Sequence, residues 1–159
     1  MIITTSRKPS RKTRRLARVL ANFMNWEYIT RGKLSFEELY LTLKKGENLA
    51  VIEEIKGNPA ILKIISPEKG IVMLIKFSVG DIKKIKMDKS PVVFVGKPPF
   101  DPLIFESFPL SKTASKLINK VEFKKKIYVK RKNEILVFEF KYDKELITRL
   151  KIHDSRIYI

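Results

Sequence analysis

The sequence predicts a mixed α/β fold, rich in sheet and built as two related halves. Three observations predict it. The first half reads strand, helix, strand, helix, and then three apolar runs. The second half reads strand, helix, and then strands again. Between them lies Gly80-Asp81-Ile82-Lys83-Lys84-Ile85-Lys86-Met87-Asp88-Lys89-Ser90, the best candidate for a junction. A chain of 159 residues suits one domain or two small, closely packed halves. We therefore expect a single domain over 1–159, with halves 1–80 and 81–159. A hydrophobic share of 44% supplies the core.

The elements follow in order. Met1 to Thr5 is a short apolar strand. A helix runs from near Pro9 to near Asn25, with Leu16, Val19, Leu20 and Phe23 at the spacing of one apolar face. Trp26 to Thr30 combines aromatic and β-branched residues and reads as a strand. Arg31-Gly32-Lys33 is a basic turn. Ser35 then opens a second helix, with Ser35 and Glu38 as a capping box and Leu34 and Leu39 as a hydrophobic staple. Its buried stripe is Phe36, Leu39, Tyr40 and Leu43, and Gly46 ends it. Leu49 to Ile52, Ala60 to Ile65 and Ile71 to Phe77 are strands, with a turn at Gly57-Asn58-Pro59. In the second half, Pro91 to Gly96 is a buried-type strand and Lys97 to Pro102 a proline-rich loop. Leu110 to Val121 is a short helix with Ser111 as its cap. Phe123 to Lys130, Glu134 to Lys141 and Leu146 to Ile152 are strands, and Arg156 to Ile159 is a last one.

Charge narrows the function classes. The formal net charge is +17, far beyond what solubility needs, and it points to a polyanion, with nucleic acid ahead of an anionic membrane surface. The charge is concentrated. Residues 1–33 hold nine Lys or Arg and one acid, and residues 120–132 hold seven and one. The two segments form one patch if the fold joins them and two contact sites if it does not. With no cysteine and the single histidine His153, thiolate chemistry, disulfides and multi-histidine metal sites are excluded. The sequence shows no signal-peptide core and no run of about 18 apolar residues, so the expected location is cytoplasmic. Phosphate-loop, dinucleotide, nucleophile-elbow and zinc-protease motifs are missing. The pairs Glu37/Glu38 and Glu53/Glu54 diverge on either a helix or a strand, so neither forms a proton-sharing dyad.

The basic constellations carry the functional reading. Arg11, Arg14, Arg15 and Arg18 recur at i, i+3, i+4 and i+7, opposite the apolar face of the first helix, within a run that also holds Arg7, Lys8 and Lys12. No acid precedes Glu27, so nothing local neutralises them. The helix N-terminus near Pro9 and Ser10 offers free N–H groups and a positive dipole end, which also suit phosphate. Alternation puts Lys124, Lys126, Tyr128 and Lys130 on one strand face. This set suits phosphates and a stacked base, and it reads equally as an edge protected by lysines. Arg149 and Lys151 extend it. Arg31 and Lys33 flank Gly32 in a connection that can approach a phosphate or be an ordinary turn. Trp26 and Tyr28 read as core residues before stacking residues, and His153 as a surface or packed histidine.

Three segments resemble one family. They are Ile3-Thr4-Thr5-Ser6-Arg7-Lys8-Pro9-Ser10 with the Arg-rich run through Arg14, Leu16 and Ala17; Thr30-Arg31-Gly32-Lys33-Leu34-Ser35-Phe36-Glu37-Glu38-Leu39; and Lys56-Gly57-Asn58-Pro59. In order and spacing they resemble the Brix-domain ribosome-biogenesis proteins, in particular archaeal single-domain members related to the Imp-type proteins. The resemblance is clear over residues 1–65. It departs at Ala60, where members tend to carry glycine, and at Asp154-Ser155-Arg156 in place of Gly-Pro-Arg. It implies two α/β halves, each like the anticodon-binding domain of class IIa aminoacyl-tRNA synthetases. It also implies binding to precursor ribosomal RNA, small-subunit RNA first, without catalysis, cofactor or metal. Other assembly factors or ribosomal proteins would be the further partners of a monomer with no membrane contact. The matched basic positions are Arg7, Lys8, Arg11, Arg14, Arg31 and Lys33. The competing readings are a tRNA-binding module of anticodon-domain type, an RNA-processing nuclease and a permanent ribosomal protein.

Overall fold

Residues 1–108 and 123–158 are described by the computed structural model of the chain. Its elements are β1 (Ile2–Thr5), α1 (Arg11–Met24), β2 (Glu27–Tyr28), α2 (Phe36–Leu41), β3 (Leu49–Ile55), β4 (Asn58–Ser66) and β5 (Gly70–Val79). They continue with β6 (Val92–Val95), a 3-10 turn (Pro102–Phe105), β7 (Lys125–Lys132), β8 (Ile135–Tyr142) and β9 (Glu145–Ile157). The helix expected over Leu110 to Val121 lies outside the described residues.

The described strands form one mixed sheet in the order β2-β1-β3-β4-β5-β9-β8-β7-β6. β1 pairs parallel with β3, and β3, β4 and β5 then run antiparallel. β6 likewise pairs parallel with β7, and β7, β8 and β9 run antiparallel. The antiparallel β5–β9 ladder joins the two sets in the middle of the sheet. The strand order and pairing sense of the first half therefore recur in the second.

Alternation sorts the strand residues onto two faces. Ile3, Ala50, Ile52, Ile64, Ile75, Ile127, Phe138 and Leu150 face α1 in one continuous core with Leu16, Leu20 and Phe23. Ile2, Leu49, Val51 and Ile65 face the other way and pack against Leu39 of α2. Each such fully buried Leu, Ile or Phe contributes about 1.5–3 kcal/mol over its exposed state.

α1 depends on distant residues at both ends. Its N-cap is Ser10, whose hydroxyl accepts from the Thr13 N–H, and it ends on Asn25 at φ +61°. It carries no acid in its first turn and no base in its last, so its own sequence leaves the dipole uncompensated. β3 supplies the acid, with Glu54 accepting from the Ser10 N–H at 2.5 Å. β7 supplies the base, with the Lys125 ammonium donating to the Asn22 carbonyl at 3.0 Å and to Asn25 Oδ1 at 2.7 Å.

Several expected boundaries move. The strand expected over Trp26 to Thr30 shrinks to Glu27–Tyr28, because Trp26 turns into the core. There the Trp26 indole N–H donates to the Phe105 carbonyl at 3.3 Å. α2 stops at Leu41, well before Gly46, where the Thr42 hydroxyl donates to the Leu39 carbonyl at 2.6 Å and competes with the helical ladder. Its capping box is present, but only Leu39 of the expected stripe is fully buried. The turn expected at Gly57-Asn58-Pro59 falls on Lys56 and Gly57, with φ of +50° and +78°. Two such residues make the two-residue turn whose twist suits a hairpin. Pro59 is left in β4 opposite the bulge at Glu53/Glu54, where its missing N–H is tolerated. The separate last strand from Arg156 is instead the end of one long β9.

The 80–90 junction is not a free linker. Ile82, Ile85 and Met87 pack against the main core. The Lys83 N–H donates to the Ile147 carbonyl at 2.8 Å, and the Thr148 hydroxyl donates to the Asp81 carbonyl at 3.0 Å. Lys12 holds the start, donating to the Val79 carbonyl at 3.2 Å, and Asn25 holds the end, donating to the Ser90 carbonyl at 2.9 Å. The connector thus lies alongside α1 from its first turn to its last.

Candidate nucleic-acid interface

Arg11, Arg14, Arg15 and Arg18 are exposed together on the outer face of α1, as their spacing requires. They form one side of a groove of about 450 Å³, completed by Val19, Asn22 and, from the connector, Lys84. Its lining holds five cations and no acid. From Arg11 to Arg18 the helix rises about 10 Å, so the guanidinium groups are spread along a line. The Arg18 guanidinium lies over the Tyr28 ring, 5.3 Å from its centroid, a cation–π contact. Such forks bind phosphate oxygens two at a time.

The helix N-terminus departs in part from expectation, because an acid of the chain already engages its N-cap. Burial pushes the Glu54 carboxyl up. The hydrogen bonds from the Thr13 hydroxyl and from the Ser10 N–H and hydroxyl outweigh this and hold it below its ordinary value. An internal carboxylate therefore already takes the N-cap N–H at this helix end. Lys12 is likewise engaged, on the Val79 carbonyl.

A second cluster lies where the β1–α1 loop meets the turn before α2. Arg7, Lys8 and Lys33 are exposed, and Arg7 donates to the Lys33 carbonyl at 3.4 Å. Arg31 behaves differently. It is only 6% exposed and donates to the Leu34 carbonyl at 2.8 Å and the Thr5 carbonyl at 3.1 Å. Its guanidinium stacks 4.7 Å from the Phe36 ring centroid. Burial lowers its pKa, with Arg7 adding to the effect and Glu53 opposing it. Arg31 thus ties β1 to the turn before α2, and the charge facing solvent here comes from its neighbours.

The β7 strip is on the opposite side of the sheet from α1. Ile127 and Val129 point into the core with α1, so Lys126, Tyr128 and Lys130 between them point away. The arginine face of α1 and this strip therefore make separate surfaces. On β8 and β9 the strip gains Lys141, Arg149 and Lys151, which sit beside it in register. Lys130 and Lys141 lie 5.8 Å and 5.2 Å from the Tyr128 ring centroid. One buried acid offsets part of this charge. Glu139 lies 2.6 Å from Lys130 and 2.5 Å from Arg149. Burial opposes its ionisation, but these partners hold its pKa at about 2. Lys124 stands outside the strand and pairs with Asp88 at 3.0 Å, which raises its pKa.

Lys84, Lys125, Glu54 and Glu139 were not singled out by the sequence as parts of this arrangement. A signal did exist for Lys84, since Ile82, Ile85 and Met87 set among Lys83, Lys84 and Lys86 describe a strap with one apolar side. The other three act only through contacts nine or more residues away in the chain. Among the described residues, no group of three or more His, Asp or Glu side chains is placed to hold a metal ion. No helix among them is long and apolar enough to cross a membrane.

Comparison with known proteins places this geometry among relatives. The chain is 50% identical over 152 residues to a probable Brix domain-containing ribosomal biogenesis protein of Archaeoglobus fulgidus, covering 95% of this chain and 94% of the relative. A protein of the same description from Methanococcus maripaludis is 41% identical over 78 residues, or 49% of this chain and 46% of its own. No protein-family model matches the chain. The fold is that of Mil, an archaeal Imp4-like protein, with a TM-score of 0.78 at 24% identity over 99% of both chains. A probable ribosomal biogenesis protein from Aeropyrum pernix superposes with a TM-score of 0.60 at 19% identity, covering 95% of this chain and 93% of the other.

Proposed function

Because the chain belongs to the Brix-domain family of ribosomal biogenesis proteins, we propose that it is an assembly factor that binds precursor ribosomal RNA, small-subunit RNA first, and catalyses no reaction. The observation that carries this reading is the groove beside α1, with four arginines and Lys84 and no acid in its lining. Phosphate contacts there fix the protein's orientation on RNA, and shape and unpaired bases supply the specificity. Arg7, Lys8 and Lys33 extend the contact at the loop end. Lys126, Tyr128 and Lys130 offer a second surface across the sheet. Lys12, Arg31 and Lys124 serve the fold through the bonds described above. The recurring strand order supports reading 1–80 and 81–159 as two halves of a single domain.

The test is crosslinking in the native cell followed by sequencing of the attached RNA. The expected result is reads concentrated on one region of precursor small-subunit ribosomal RNA. Reads concentrated on tRNA, or scattered in proportion to RNA abundance, would overturn the assignment. Incubation of the pure protein with the mapped RNA and Mg²⁺ or Mn²⁺ is expected to leave the RNA intact.

A further inference from the structure

We infer that the groove between α1 and the 80–90 connector takes one unpaired RNA strand, with its backbone between the arginines and Lys84, and that it discriminates against duplex. The inference rests on the RNA-binding reading above and names the form of RNA that the site accepts.

The first argument is shape. The groove is a trough of about 450 Å³ with Val19 as its floor, 2% exposed. This is the size range of sites that enclose small ligands. It admits the backbone of a single strand, whereas a duplex, with two backbones and its bases paired inward, rests on the rim.

The second argument is that the cations stand on two walls. A strand lying in the trough meets the arginines on one side and Lys84 on the other. A flat basic surface would lack the second wall. The arginines stand at three levels along α1, Arg11, then Arg14 with Arg15, then Arg18, each about one turn from the next, so successive phosphates meet successive levels.

Preorganisation is the third argument. The connector wall is pinned through Val79, Asp81, Lys83 and Ser90 to α1 and β9, so the wall is already built before RNA arrives and costs little to order. The chemistry at the end of the trough also suits an open base. Asn22 is exposed there and presents both a donor and an acceptor. Arg18 is exposed there, with its guanidinium over the Tyr28 ring, and a guanidinium also stacks on bases.

The experiment measures fluorescence anisotropy with a labelled oligo-uridine of about ten nucleotides, the span of a typical single-strand site, and a blunt RNA duplex of equal length. The proteins are the wild-type chain, Lys84→Ala, Lys89→Ala and the fourfold variant Arg11→Ala, Arg14→Ala, Arg15→Ala, Arg18→Ala. Wild type is expected to bind oligo-uridine about tenfold more tightly than duplex. Lys84→Ala is expected to weaken oligo-uridine about three- to tenfold, the loss of one phosphate contact, with little effect on duplex. Lys89→Ala, outside the groove lining, is expected to change neither. Equal affinity for both RNAs, or a Lys84→Ala effect that is absent or the same for both, would overturn the single-strand assignment. So would competition by uridine monophosphate at the same concentration as oligo-uridine, which would mean a one-nucleotide site. Equal competition by a polyglutamate peptide would indicate an acidic protein partner instead. If the fourfold variant keeps full affinity for both RNAs, the RNA-binding reading of this face fails, not merely its strand preference.

Discussion

Replacing Arg11, Arg14, Arg15 and Arg18 together with alanine separates binding from folding, because none of the four is buried. Alanine is the best helix former, so α1 keeps its backbone. The variant loses the Arg18–Tyr28 contact, about 0.5–1 kcal/mol at such a site. It gains by removing Arg11 and Arg14 from the positive end of the helix, where each cation costs about 0.3–1 kcal/mol. The stability change is therefore expected within about 1 kcal/mol, measured by urea unfolding. Binding responds very differently. The groove offers five cations. At a slope of about −0.7 per neutralised phosphate on a single strand, the log–log salt dependence is about −3.5. Between 50 and 200 mM salt the wild-type affinity for a short oligo-uridine then falls about a hundredfold. The variant, with only Lys84 left, has a slope of about −0.7 and loses about threefold. The assay is anisotropy titration across that salt range. A slope that stays steep in a folded variant would show that the phosphates are held elsewhere, at the loop cluster or on the β7 strip.

Three further outcomes follow from the buried charges. Arg31→Ala removes two charged hydrogen bonds to the Thr5 and Leu34 carbonyls and is expected to cost about 2–4 kcal/mol in urea unfolding while leaving the salt slope of RNA binding unchanged. Lys125→Met leaves the Asn22 carbonyl and the Asn25 amide oxygen without their donor. It should cost about 1–3 kcal/mol and speed amide exchange in the last turn of α1. Glu139 titrates from an ordinary 4.5 down to about 2 in the folded chain. Its carboxylate therefore adds stability that is fully present above about pH 4.5 and is lost as pH falls towards about 2. Urea midpoints measured across that window should fall less steeply in Glu139→Gln than in wild type. Equal slopes would show that Glu139 is not held by Lys130 and Arg149.

The arginine face of α1 was legible in the sequence because a helix converts spacing into position with no outside help. The same holds for the capping box at Ser35 and Glu38 and for the alternation that splits Ile127 and Val129 from Lys126, Tyr128 and Lys130. Each of these depends on contacts within about a turn or along a single strand. Where two distant segments compete or cooperate, local reading failed. The N-terminus of α1 looked like a phosphate site until β3 brought Glu54 to it. Arg31 looked like a solvent-facing cation in a basic turn until the turn folded back on β1. Lys125 looked like one more member of a basic run, but β7 carries it to the C-terminus of α1.

The sequence alone determined the class of the fold, the order of its described α-helices and strands apart from their boundaries and the separate last strand, the excess positive charge and the face of α1 on which arginines gather. All of these follow from backbone periodicity and composition. Only the tertiary structure decided that the arginine face of α1 and the Lys126-Tyr128-Lys130 strip of β7 lie on opposite sides of one sheet. It also decided that the 80–90 connector forms a wall rather than a tether, and which charges are left facing solvent. The physical reason is that these properties belong to pairs of groups far apart in the chain. Desolvation, helix-end compensation and ion pairing have no value until packing brings those groups together.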